Sequence, residues 1–86
     1  MLEPVCEIPK NSREKIVFQV GEYKGHQFID MRVFLPGENG TQDVPTKKGL
    51  AIPLHLYPQF RAALAQVEQE LITRKLIDRE DMEPAD

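Results

Sequence analysis

The sequence predicts an α+β domain in which a four-stranded antiparallel β-sheet is followed by one long C-terminal helix (β-β-β-β-α). Two alternating runs joined at Lys24-Gly25 span Lys15 to Leu35. Turn residues and short apolar runs alternate as far as Pro53, and beyond Leu54 the apolar spacing lengthens from two to three or four.

Each element has its own signal. Residues 1–14 contain Pro4 and Pro9 and little periodicity, and are expected to form an irregular N-terminal arm. The first strand covers Lys15 to Tyr23 and the second His26 to Leu35. A two-residue loop at Lys24-Gly25 sets Tyr23 opposite His26, and the register then follows outward. Val20 faces Ile29, Phe18 faces Met31 and Ile16 faces Val33, which makes one face wholly apolar. The other face is mixed, pairing Gly21 with Phe28, Gln19 with Asp30, Val17 with Arg32 and Lys15 with Phe34. A slip of one residue would turn one strand's apolar set outward, so the parity of the pairing is well specified.

Asn39-Gly40 signals a tight turn, because both residues tolerate positive φ. A short third strand is expected at Thr41–Val44 and a fourth at Leu50–Ile52, ended by Pro53. Leu56, Phe60, Leu64, Val67 and Leu71 then mark one face of an amphipathic helix. Pro58 suits only a first turn, which places the helix start near Tyr57 and its end between Arg74 and Asp78. Residues 79–86 form an acidic tail, expected to fray and able to compete with a polyanion for basic residues. Tyr57, Ile72, Leu76 and Ile77 widen the apolar surface of the helix beyond one stripe, which predicts a homodimer.

Length and composition bound the function. A chain of 86 residues with one cysteine fits one small domain without an internal disulfide, in a reducing, cytoplasmic compartment. No apolar run is long enough to cross a bilayer, no signal-peptide pattern stands at the N-terminus, and no membrane association is expected. The net charge of -3 is unevenly spread: residues 10–50 carry seven basic and five acidic side chains, residues 51–86 four and seven. The strand-rich part is therefore basic. Catalysis finds no support, because no nucleophile–base arrangement, metal-ligand spacing or phosphate-cradling glycine loop is present; no cofactor is expected.

Tyr23-Lys24-Gly25, then Ile29-Asp30-Met31-Arg32, then Lys47-Lys48-Gly49-Leu50 before a terminal helix resemble the single-stranded-DNA-binding domain of the positive cofactor 4 family of transcriptional coactivators. The resemblance runs from about Lys15 to Leu71 and is strongest to the compact bacterial members. It implies a β-β-β-β-α domain spanning 15–78 that dimerises through its helix and binds single-stranded DNA with little sequence preference. It makes Tyr23 a base-stacking ring, Gly25 the residue that lets the backbone turn, and Lys24, Arg32 and Lys48 phosphate or base-edge contacts. The pattern departs from the family at His26, where a basic residue is usual, and at Leu35, where tryptophan is frequent.

Single strands are held by cations along the backbone and by rings on which bases stack. The mixed face and its neighbouring loop offer those residue types, giving a candidate set of Lys15, Tyr23, Lys24, Gly25, His26, Arg32, Phe34, Lys47 and Lys48. Against this, Phe28 and Phe34 have a packing role under the loop or against a partner, and Asp30 a role in pairing with Arg32. The expected partners are single-stranded DNA and a second copy of the chain, with RNA as a variant. Transcription regulation, replication and repair are the processes this would serve, nucleoid-associated in a bacterium. The competing class is a homodimeric protein-interaction module with the same fold.

Overall fold

The computed structural model describes residues 2–82. Four strands form one antiparallel sheet in the order β1-β2-β3-β4: β1 Leu2–Pro9, β2 Lys15–Tyr23, β3 His26–Leu35 and β4 Val44–Pro53. The helix α1, Tyr57–Thr73, follows. The chain divides into two compact units at His55/Leu56.

The central hairpin has the expected register at every position, from Tyr23 opposite His26 to Lys15 opposite Phe34. Its loop is the two-residue turn, with Lys24 at φ 51° and Gly25 at φ 79°. Positive φ at both positions gives a turn whose twist matches that of the flanking strands.

The identity of the four strands differs from expectation in two places. The N-terminal arm expected to be irregular is β1, paired with β2. Its prolines are tolerated because it is an edge strand, and Val5 is extruded as a bulge between Pro4 and Cys6. The two short strands expected at Thr41–Val44 and Leu50–Ile52 are parts of one strand, β4. Thr46, Lys47 and Lys48 stand opposite Val33 alone, because Arg32 pairs with Gly49 and Phe34 with Pro45. That bulge absorbs the polar residues that read as a break between strands. Asn39 and Gly40 do adopt positive φ, within a single 3-10 turn at Glu38–Gly40.

The two sheet faces are covered in an unexpected way. On the mixed face Val17, Gln19, Gly21 and Asp30 are buried; on the apolar face Val33 and Ile52 are buried, while Val20 is 43% and Leu50 50% exposed. Gly21 explains part of this. A Cβ there would collide with the outer end of the Phe28 ring and with Leu2, so the absence of a side chain lets the Phe28 ring reach over β2. Among the described residues the buried apolar side chains are Val17, Val33 and Ile52.

The helix starts at Tyr57 with Pro58 in its first turn, as expected, and ends at Thr73. Lys75 takes the left-handed conformation, at φ 59°, and its amide donates to the carbonyl of Ile72 (3.0 Å) while that of Leu76 reaches Leu71 (2.9 Å). These bonds satisfy carbonyls that a helix end leaves open. No residue of α1 is buried; Leu64 and Val67 are both more than half exposed. Of the tail expected to fray, Arg79–Met82 forms a 3-10 turn, and 83–86 lie outside the described residues.

Candidate nucleic-acid interface

The β2–β3 turn gathers four of the nine candidate residues. Tyr23 and His26 close the hairpin and are exposed, Tyr23 by 64%. Lys24 projects from the loop and holds its ammonium 5.3 Å from the centroid of the Tyr23 ring, a cation–π contact. Gly25 supplies the second positive φ of the turn.

Arg32 lies six residues along β3 from His26, about 20 Å at strand spacing. Its guanidinium is organised by Asp30. Nε donates to both carboxylate oxygens at 3.2 Å, Nη2 donates to Oδ1 at 2.8 Å, and Nη1 reaches the carbonyl of Thr46 at 3.1 Å. Asp30 is 3% exposed, and its other partner is the Gln19 amide at 3.2 Å. The carboxylate raises the Arg32 pKa further above its ordinary value. The pairing expected between Asp30 and Arg32 is thus present, and a quarter of the Arg32 side chain remains open to solvent.

Thr46 links this network to the two lysines. Its hydroxyl donates to the carbonyl of Val33 (2.8 Å) and accepts the amide of Lys48 (3.2 Å). The bulge carrying Lys47 and Lys48 is thereby tied to the centre of the sheet. Both lysines are exposed. Lys48 also comes near Glu14, whose carboxyl is held below its ordinary range chiefly by a hydrogen bond from Asn11, and also by Lys10 and Lys48.

Lys15 and Phe34 are engaged elsewhere. The Lys15 ammonium lies 2.6 Å from Asp43 and 2.9 Å from Glu7, and these hydrogen-bonded carboxylates, Asp43 foremost, raise its pKa. Phe34 is half-buried and lines a hollow with Lys15, Pro9, Leu35 and Asp43, which suits a packing role. The candidate set therefore separates into an open cluster at the turn, a cation pair on the β4 bulge, the clamped Arg32 between them, and a neutralised lysine. Thr46 had no sequence signal, whereas Gln19 was legible as the residue opposite Asp30.

Among the described residues no group of three His, Cys, Asp or Glu is placed to hold a metal ion, and no helix is long and apolar enough to cross a membrane.

The sequence model of the family described as Transcriptional Coactivator p15 (PC4) matches residues 10–63. Among solved structures the chain is similar to a PC4 homologue from Burkholderia pseudomallei. The two are 24% identical with a TM-score of 0.71, over 79% of this chain and 90% of that one. It is also similar to the bacteriophage T5 homologue of the eukaryotic coactivator PC4, which is implicated in recombination-dependent DNA replication. Here the identity is 23% and the TM-score 0.64, over 87% of this chain and 88% of that one. Both likenesses are of fold. No curated protein matches the chain.

Proposed function

The chain belongs to the transcriptional coactivator p15 (PC4) family, a non-enzymatic family known for DNA binding, and from that membership we propose that it binds single-stranded DNA with little sequence preference. The observation that carries this reading is the exposed Tyr23 ring with the Lys24 ammonium held against it at the hairpin turn. A base stacks on the ring while the flanking phosphate meets the cation; each stacked base contributes about 1–3 kcal/mol. Lys47 and Lys48 on the bulge, and the open part of Arg32, continue the cationic path along the sheet. Lys15 contributes little, being already paired with two carboxylates.

The active form in this proposal is a homodimer joined through α1, whose apolar stripe is uncovered in the single chain. The exposed apolar sheet face, with Val20 and Leu50, favours a second reading, a module that recruits a protein through that face.

The test is fluorescence anisotropy of a labelled oligo-dT of about 20 nucleotides, at two salt concentrations, with wild type and the double variant Lys24→Ala/Lys48→Ala. Binding that weakens with salt, and weakens further with a shallower salt dependence in the variant, is the expected result. Absence of binding at low salt rejects the DNA reading and leaves the protein-recruiting one. Competition with oligo-U of equal length separates DNA from RNA preference.

A further inference from the structure

We propose that Asn39-Gly40, on the connection between β3 and β4, is a site of spontaneous backbone rearrangement through a cyclic imide, and that Thr41 sets its rate. Its chemistry is independent of the single-strand reading.

The chain has two asparagines, and the fold treats them oppositely. Asn11 is tied at both ends of its amide. Its Oδ1 accepts the backbone amides of Arg13 (2.9 Å) and Glu14 (2.7 Å), and its Nδ2 donates to Glu14 Oε1 (2.7 Å). Asn39 is exposed, and its side chain has no hydrogen bond among the described residues. Gly40 follows it, and the space where a Cβ would stand is empty. No neighbouring atom shields that side of the Gly40 backbone.

The reaction needs only base and water. The Gly40 nitrogen loses its proton to base and attacks Asn39 Cγ. The N–Cγ bond forms, the Cγ–Nδ2 bond breaks, and the departing nitrogen takes up a proton and leaves as ammonia. Water then opens the five-membered ring at either carbonyl. Scission of the N–Cγ bond gives aspartate. Scission between nitrogen and the main-chain carbonyl carbon gives isoaspartate, whose chain runs through Cβ and Cγ. Either product exchanges NH for O and adds one carboxylate to a net charge of -3.

Thr41 gates the first step. The turn holds Asn39 in the left-handed region at φ 54° and ψ 39°, a conformation asparagine tolerates. At that ψ the Gly40 nitrogen points away from the Asn39 Cβ, so the ring closes only after the turn opens. What keeps it shut is Thr41, whose amide (3.0 Å) and hydroxyl (2.7 Å) both donate to the Glu38 carbonyl.

Isoaspartate does not fit this loop. It adds an atom to the main chain where Gly37 already lies so close to Thr41 and Gln42 that a Cβ would collide with both. Asp43, farther along the same loop, holds Lys15 of β2 at 2.6 Å, so a displaced loop is felt in the sheet.

The experiment incubates wild type, Thr41→Val and Thr41→Ser in mildly alkaline buffer. Tryptic peptide 33–47 is followed by mass spectrometry and by enzymatic methylation of isoaspartate. Wild type is expected to accumulate isoaspartate at position 39 while Asn11 keeps its amide. Thr41→Val lacks the hydroxyl bond and should react about fivefold faster, with Thr41→Ser close to wild type. An Asn39 that stays intact, or equal reaction at Asn11, overturns the site. Equal rates for wild type and Thr41→Val overturn the gate. The isoaspartyl form, separated by ion exchange, is expected to melt below both wild type and Asn39→Asp. A midpoint equal to that of Asn39→Asp overturns the misfit in the loop.

Discussion

Asp30 is a carboxylate buried to 3% exposure, and its neighbours decide what its loss would do. Replacing it by alanine leaves Arg32 and the Gln19 amide without their acceptor at the centre of the sheet. Asp30→Ala is expected to lower the unfolding free energy by about 3 kcal/mol, read from urea denaturation. Asp30→Asn, which keeps the shape, should cost less. Gly25→Ala forces a Cβ into the left-handed region at φ 79° and should cost about 1–2 kcal/mol, with loss of the turn geometry that presents Lys24. At this scale the sequence was informative wherever register could be inferred. Strand alternation alone placed Gln19 opposite Asp30 and gave the whole hairpin pairing. It could not show that Lys15 is neutralised, because one partner, Glu7, comes from a segment that prolines made look irregular, and the other, Asp43, comes from a loop.

The elements repeat that lesson. Local patterning specified β2, β3 and α1, since each carries a long periodic signal. β1 and β4 depend on partners distant in sequence and on bulges, and a bulge breaks the alternation by which a strand is recognised. The Lys15 bridges tie both outer segments to β2, and they make a prediction about pH. A lysine whose folded pKa is raised above 10.5 stabilises the fold fully below that value. Its contribution then disappears as pH rises through the raised folded value. The difference in thermal midpoint between wild type and Lys15→Met should therefore be constant from pH 7 to pH 10 and close above that, as measured by circular dichroism. A gap that persists at pH 12 would assign the effect to packing of the lysine stem instead.

For the whole molecule the question is how so little buried apolar surface sustains a fold. Val17, Val33 and Ile52 are the buried apolar residues among those described, and α1 has none. Small domains in this position draw stability from association. Sedimentation equilibrium at micromolar concentration is expected to show a dimer. Leu64→Glu/Val67→Glu, on the uncovered stripe of α1, should shift it to monomer and lower its thermal midpoint, since each apolar side chain buried in an interface contributes about 1.5–3 kcal/mol. A monomeric wild type would refute the dimer. The change from strands to one terminal helix was legible from the periodicity switch near Leu54, whereas the coverage of the sheet faces was not, because it depends on the Phe28 ring reaching over Gly21.

The prolines of the outer strands bear on how copies of this chain can meet. β1 carries Pro4 and Pro9 with the Val5 bulge between them, and β4 carries Pro45 and Pro53 with the lysine bulge between them. A strand with missing amide donors and an interrupted pleat is a poor template for another strand. Both borders of the sheet are thus poor templates for lateral growth, while Val20 and Leu50 stay exposed on its apolar side. Crowding of such chains therefore does not lead to edge-to-edge zipping into fibrils.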